Sequence, residues 1–577
     1  MPIAPHLPKR SLPLLFAGAV LLLGSACSRT PHHQAVIRHA AAQSDQALAV
    51  QHLNQLYGSR LASDPGSDGE RRTRRHALLW TMDRGILAVL GGRYQEAFDL
   101  LAEASSLVEE FRTRWTAGGI TRRFTAAAIN ETIENYEGNA YEHIQVEFWR
   151  SLNELLQAQV QSGLMGSVEQ LNRAAAHQHY QNAISFARRM VLNQIRESQD
   201  AADSAFWRRT YYDDPFARLY SAALMLAVPR DQRAGSDLQF ADVMLKQAWE
   251  VYAAERGAMA GQRAYRYEVV PREQNQALIT LMHRVGNAYD ASGWASWATA
   301  NGVPPPMPIR LGAEDAEMSA ALPRGHGMLL VLHLADYISH PEALDIVAAT
   351  GTVPITYTRA RHGRDETATF RIGAVRMFAR GPGAPIVNEW PILPLPPQIT
   401  DALAPGGLAF IGTSIPVHAP DRAISPPPHA GVQSPDQGSL KVPLQVLADL
   451  DAYARATLKD EQPRILIRAL ARTAVKQLAA VLAAREAQKQ AGPLAGFAVG
   501  LLGSGLATWS EVADVRGALL LPNTIQGSLI DLPTGRHHLR LNGAQGSIDL
   551  GEVTIPSGQL VVVIARGFPN PPPAPSK

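Results

Sequence analysis

Few residues in this 577-residue chain are spaced to do chemistry together. Three histidine pairs stand out: His32-His33, His177 with His179, and His537-His538. A metal ion needs ligands that converge on one point. Neighbouring residues on a strand point to opposite faces, and residues two apart on a helix diverge. No metal site is therefore expected from these pairs. Asp514 and Arg516 are two apart, the spacing that puts an acid and a base on one face of a strand. Arg468, Arg472 and Lys476 follow helical i, i+4, i+8 spacing and form one basic stripe. Two readings stay open for these five residues. One is a structural ion-pair surface, with Asp514 docked on the stripe. The other is an exposed surface for an anionic ligand or a protein partner. Glu142 and Glu147 lie on one helical stretch, and paired carboxylates can do acid–base work on a glycosidic bond. Spacing alone does not pair them.

The motifs of nucleophilic and phosphate chemistry are missing. There is no Gly-x-Ser-x-Gly elbow and no Ser-x-x-Lys set. There is no Gly-x-x-x-x-Gly-Lys-Ser/Thr loop and no His-Glu-x-x-His helix. No catalytic residue and no cofactor is expected, and the chain reads as a non-enzyme. The formal net charge of +2 gives no reason to expect a nucleic-acid partner.

The one cysteine, Cys27, has a different chemistry. Lys9 and Arg10 precede an apolar run from Ser11 to Leu23, and Gly24, Ser25 and Ala26 lead into Cys27. This is the pattern of a secretory signal peptide over residues 1–26, its apolar part too short to span a membrane comfortably. A lone thiol in an oxidising compartment invites wrong pairing. The cysteine directly after small residues resembles the lipobox of bacterial lipoproteins, with Leu23 one place further from the cysteine than usual. The resemblance implies a lipidated Cys27, and Ser28 after it implies the outer membrane, facing the periplasm. Each buried methylene of such a lipid contributes about 0.8 kcal/mol of anchoring.

The elements behind Cys27 divide into a helical half and a mixed half. Residues 27–70 read as a lipidated N-terminus and a helix or linker. Residues 71–303 read as helical hairpins. Within them Gly85, Gly92, Tyr94, Ala97, Leu101 and Ala104 fall at the small and large positions of a tetratricopeptide repeat, with a weaker echo at Ala241, Leu245 and Ala248. Tyr141–Ala158 is a long helix, with Gly163–Ala176 as its expected partner. Pro304-Pro305-Pro306 opens a β-rich region, 304–425, with strands expected near 328–334, 353–358, 368–378, 392–397 and 408–417. Residues 426–440 read as a Pro-rich mobile loop. Residues 441–512 read as a helical segment starting near Val446, with an uncharged, Gly-rich stretch at 491–510 that either packs inside the fold or enters a membrane. Residues 513–567 read as a small β-sheet or sandwich. Its last strand, Leu560–Ile564, is apolar throughout and is expected to be central. Residues 568–577 form a Pro-rich tail. The fold class expected is therefore α+β and multidomain.

Four blocks of this chain resemble a family of uncharacterised proteobacterial envelope lipoproteins with a tetratricopeptide-like N-terminal half. They are Tyr136-Glu137-Gly138-Asn139-Ala140-Tyr141-Glu142 running into Trp149 and Leu152-Asn153; Asp214-Pro215-Phe216 with Tyr220; Ile467-Arg468-Ala469, Ala471-Arg472 and Lys476; and Ala513-Asp514-Val515-Arg516 with Leu521-Pro522, Ile525, Leu532-Pro533 and Gly535. The chain departs from the family in having His143 where an Arg is usual and Ala518 where a bulky residue is usual. Members are often encoded beside the lipoprotein activator of penicillin-binding proteins. The resemblance implies protein partners, with the cell-wall synthesis machinery foremost, and a scaffold or adaptor acting through protein–protein binding. A structural part of an export or secretion complex, or a glycan-modifying hydrolase, are the other functions considered.

Overall fold

The computed structural model describes residues 29–57, 75–117, 136–166, 171–203, 212–253, 263–264, 272–311, 322–350, 358–361, 364–367, 375–380, 409–418, 424–435, 438–462, 513–543 and 546–567, with single residues between 465 and 490. Cys27, Arg468, Arg472, Lys476, the Gly-rich stretch 491–510 and the expected strand at 392–397 lie outside these described residues, as does the side chain of His32. The chain forms two compact units, 1–76 with 570–577, and 77–569.

In the first unit, the helix expected behind Cys27 is two helices, α1 (Arg29–Ala42) and α2 (Gln46–Tyr57). Ser44 takes a φ of 60°, which breaks the helix, and the Asp45 carboxylate accepts from Leu48 N at 3.0 Å to start the next one. Ile37, Ala40, Ala49 and Leu53 are buried.

The second unit opens with the hairpin of α3 (Ala77–Leu90) and α4 (Tyr94–Ala117). The small and large positions read from the sequence do pack the hairpin. A Cβ on Gly85 would lie 2.8 Å from Leu101 Cδ2, and Ala97, Leu101 and Ala104 are fully buried. The hairpin α5 (Ala140–Gln161) and α6 (Arg173–Asp203) follows. The partner of α5 therefore starts at Arg173, later than expected. Gly163 and Gly166 have φ of 72° and 69°, so the stretch after α5 turns instead of coiling. Helices α7 (Pro215–Ala227), α8 (Gly235–Tyr252) and α9 (Gln276–Ala300) complete the helical half. Every residue of α7 is buried.

The β-half is a two-sheet sandwich. Its strands are β1 (His326–Ala335), β5 (His429–Ser434), β6 (Gly438–Pro443), β7 (Gln445–Asp449), β8 (Thr524–Pro533), β9 (Gly535–Gly543), β10 (Gly546–Ile555) and β11 (Leu560–Gly567). One sheet runs β6-β5-β9-β10 and the other β7-β8-β1-β11, with Ile309–Arg310 added beside β8. Only β1 with β11, and that short addition, pair in parallel. Leu329 and Val331 of β1, Val432 of β5, Ile530 of β8, Leu541 of β9 and Val561 of β11 share one apolar core between the sheets. Helices α7 and α9 pack on the second sheet, so its strands are covered on both faces. A separate antiparallel sheet joins β3 (Val375–Arg380), β2 (Pro341–Thr350) and β4 (Ala409–His418) in that order.

Four expectations are corrected by these pairings. The strands of the sandwich come from both sides of the boundaries drawn at 425 and 513, so β1 and the C-terminal strands are one layer. The Pro-rich stretch 426–440 is not a loop throughout. Pro426–Pro428 precede β5 and Pro443 ends the edge strand β6, places where a missing N–H costs no ladder bond. The helix expected from Val446 begins only at 450, because β8 takes up 445–449 as a strand. Finally, β11 is buried but terminal in its sheet. Its outer edge meets the side-chain amide of Gln159, which donates to Val562 O (2.8 Å) and accepts from Val562 N (2.7 Å) as a neighbouring strand would.

The close approach of β1 to the turn before β11 gives a stability test. A Cβ on Gly327 would overlap the carbonyl oxygen of Pro556, a backbone atom that cannot swing away. Gly327→Ala is expected to cost about 1–3 kcal/mol. The measurement is a lower urea midpoint at unchanged slope.

Candidate functional site at the junction of the two halves

Just past the carboxyl end of β1, His340 lies close to Gly517, in the segment that meets the start of α5. Several buried polar side chains gather at this place.

On the helical side, Glu142 sits in the first turn of α5. The sequence Asn139-x-x-Glu142 reads as a helix start, and Glu142 Oε2 accepts from Asn139 N at 2.7 Å. The same oxygen accepts from the Tyr136 hydroxyl at 2.6 Å, while Oε1 accepts from Ala518 N at 2.7 Å. Burial pushes the Glu142 carboxyl up, and the donors Tyr136, Ala518 and Asn139 oppose that shift. Asp83, buried in the middle of α3, accepts from Leu519 N (3.0 and 3.1 Å) and Leu520 N (3.0 Å). Two carboxylates from two helices thus hold three consecutive main-chain N–H groups.

The segment they hold enters through the Asp514–Arg516 pair. The expectation that these two residues share a face is met without a strand, since 513–518 has no ladder partner. Arg516 Nε and Nη2 each lie 2.7 Å from Asp514, one on each carboxylate oxygen. The guanidinium stands 5.2 Å over the Tyr136 ring. Leu519, Leu520 and Leu521 are fully buried. Two of the four resemblance blocks, 136–142 and 513–521, therefore touch.

One residue along α5, His143 Nδ1 lies 2.6 Å from Glu197 Oε1 of α6, and its Nε2 lies 2.8 Å from Glu137 O. Arg112 of α4 also pairs with Glu197, and binds Asn193 (3.1 Å) and Glu109 (3.2 Å). Burial alone would raise the Glu197 carboxyl. The charges and hydrogen bonds of His143 and Arg112 outweigh it and hold the group down at about 2.

On the sandwich side, Asp336 follows β1 with a φ of 49°, uncommon for a residue with a side chain. Its amide donates to Gly567 O at 3.0 Å, its carboxylate accepts from Ser425 Oγ, and its carbonyl accepts from Arg566 at 2.7 Å. Three residues on, Ser339 Oγ lies 2.9 Å from His418 Nδ1, and Ser339 N donates to Asp451 Oδ1 at 2.5 Å. Asp451 belongs to the helix 450–462, labelled α10, and its other oxygen accepts from Arg455 Nε at 2.6 Å. Burial pushes His418 down to about 4, against the opposing charge of Asp451. Asp449 caps α10 by accepting from Ala452 N at 2.9 Å, and burial raises its carboxyl to about 6. His340 lies against Gly517, within reach of the segment 513–521.

Ser339, His418 and Asp451 have the residue types of a hydrolytic triad but not its wiring. A triad acid orients the imidazole. Asp451 instead grips the main chain of Ser339 and the guanidinium of Arg455. His418, held neutral by its burial, is a weak base for activating a hydroxyl.

The other residues singled out from the sequence are spread through the fold. Glu147 accepts from Ser105 Oγ at 2.6 Å and pairs with Arg150 at 3.1 Å. His177 meets Gln232 and His179 meets Glu154, so the two diverge. His537 points inward to Pro533 O at 2.8 Å, while His538 points out to Asp549 at 3.1 Å. Asp83, Ser339, His418 and Asp451 escaped the sequence reading. Ser339 is 79 residues from His418 and 112 from Asp451, and Asp83 is 436 from Leu519, so no local spacing ties these pairs. No three His, Cys, Asp or Glu residues among the described residues are grouped to hold a metal ion, and no helix among them is long and apolar enough to cross a membrane. Comparison with protein-family models, with curated proteins and with solved structures gives no match.

Proposed function

We propose that this chain is a periplasm-facing lipoprotein, held to the outer membrane through Cys27, that works as a scaffold or adaptor by binding other proteins. The observation that supports it best is the use made of buried acids at the junction. Asp83 and Glu142 accept main-chain N–H groups, which is how a protein holds an extended peptide. The helical hairpins, read as tetratricopeptide-like, offer further surface of the same kind. The four resemblance blocks favour peptidoglycan synthesis or envelope assembly as the process, with cell-wall synthesis enzymes or their activators as partners.

A glycan-modifying hydrolase is the weaker reading. It needs a free pair of carboxylates around a substrate, whereas Glu142 and Glu147 hold Ala518 N and Arg150. A structural role in an export complex predicts a symmetric assembly on native gels.

Crosslinking in intact cells, followed by mass spectrometry, tests the adaptor reading. The expected result is a small set of envelope proteins that includes a cell-wall synthesis enzyme or its activator, lost when Cys27→Ser releases the chain from the membrane. Recovery of partners with no cell-wall protein among them overturns the process. Recovery of no protein partner at all overturns the adaptor.

A further inference from the structure

The contact between segment 513–521 and the helical half is asymmetric in its chemistry. The helices contribute two buried carboxylates, and the segment contributes backbone amides. A buried carboxylate without donors is far more costly than one with them. Losing the segment takes three main-chain donors from these two carboxylates, so the seat on α3 and α5 is most stable while the segment occupies it. The segment's far end is tied to the sandwich. Leu521 O accepts from Ile338 N at 3.0 Å, just past β1, and Asn523 O accepts from Leu450 N (2.9 Å) and Asp451 N (3.2 Å) at the start of α10. Asn523 N donates to Ala335 O at 2.9 Å.

Glu142 has a second duty. The carboxylate that holds Ala518 N also holds Asn139 N and the Tyr136 hydroxyl at the start of α5. The next residue, His143, reaches Glu197 on α6. Removing the segment takes the Ala518 donor from Oε1 of Glu142, while Oε2 keeps Asn139 N and the Tyr136 hydroxyl, and the first turn of α5 loses that support.

We propose that residues 514–521 are a latch. Their seating on Asp83 and Glu142 couples α3 and the first turn of α5 to the sandwich, beside the ties that Gln159, α7 and α9 make elsewhere, and it passes the state of β1 and α10 to that first turn. The device does not depend on the adaptor reading. It holds or fails on the linkage between the two halves alone.

Amide hydrogen exchange on the full chain, with urea unfolding, tests it. In the native protein the amides of 518–520 are expected to exchange together with those of β1 and β8, in a single unfolding transition. In Asp83→Asn, the 518–520 amides are expected to exchange about a hundredfold faster. The amides of α3 and of the first turn of α5 should loosen with them, while β1 and β8 keep theirs, and unfolding should split into two transitions. The latch is overturned if 518–520 in the native protein exchange well ahead of β8. It is equally overturned if Asp83→Asn loosens 518–520 while α3 and α5 stay protected, or weakens all amides evenly in one transition. Should Asp83→Asn fail to fold, Glu142→Gln keeps an oxygen for Ala518 N and is expected to show the same split with a smaller loosening, about tenfold. A uniform response there overturns the latch as well.

Discussion

Asp531→Ala is expected to be among the most damaging single substitutions in the chain. Asp531, on β8, is 1% exposed and pairs with two guanidiniums, Arg284 of α9 and Arg310 at 3.1 Å. Both arginines are buried as well, at 7% and 8% side-chain exposure. Removing one partner of a buried ion pair typically costs about 3–5 kcal/mol, because the other charge is left without compensation. Here one substitution takes the carboxylate from two buried guanidiniums. The loss is expected at or above the upper end of that range, a large part of the roughly 5–15 kcal/mol by which domains are stable. The damage comes from keeping these charges buried without the carboxylate and not from lost attraction. The triple variant Asp531→Ala, Arg284→Met, Arg310→Met should therefore recover most of the loss. Urea midpoints of the single and triple variants check this. A single variant within about 1 kcal/mol of the native protein, on the same scale, would show that water reaches the site and screens it.

This triad also shows what the sequence could not display. Arg284, Arg310 and Asp531 sit on three stretches of chain, and nothing local ties them. Helix packing was legible, because Gly85, Ala97, Leu101 and Ala104 carry a period that physics imposes on any two close helices. The identity of β1 and β11 as buried strands was legible too, from their continuous apolar runs. Their neighbours were not. An apolar run reports covered faces and says nothing of edges, so β11 looked central although Gln159 closes its side. The stretch 426–440 looked like a loop because its prolines dominate the composition. In the fold they fall at strand boundaries, where β9 supplies partners for the residues between. Domain boundaries drawn from composition failed for the same reason: a sandwich is assembled from distant strands.

The candidate site was half visible. Asp514 and Arg516 pair at the expected spacing, and Glu142 is a carboxylate on the expected helix. What the acids of the helical half are for was hidden. Asp83 looks from its sequence like an interruption in an apolar helix, Ala77–Leu90, and such residues are expected on the exposed face. Its partners, the amides of Leu519 and Leu520, carry no side-chain signature, because a main-chain N–H is present at every residue but proline. Recognition of a backbone by a carboxylate leaves no motif on the recognised side.

Acid should weaken the His143–Glu197–Arg112 cluster in a window that can be stated. The Glu197 carboxyl titrates at about 2 in the fold and near 4.3 in an unfolded chain. Its folded value is the lower one, so the unfolded chain binds the proton first as pH falls. The stability it contributes is present above the unfolded value and is lost as pH drops from about 5 toward 2. A depression of this size corresponds to about 3 kcal/mol. Glu197→Gln removes the titration and leaves Arg112 and His143 facing a neutral amide. The native protein should exceed this variant in unfolding free energy by about 3 kcal/mol near pH 6, and the gap should close toward pH 2. His418, pushed down to about 4, also loses stability as pH falls, between its unfolded value near 6.5 and its folded one. That loss is common to both proteins and cancels in their difference. Urea titrations of the pair at a series of pH values read the gap directly. A gap that stays constant from pH 6 to pH 2 would mean that Glu197 carries no special stabilisation from Arg112 and His143. A gap that closes only below pH 5 places the acid sensitivity at the meeting of α4, α5 and α6, one residue from the carboxylate that holds Ala518.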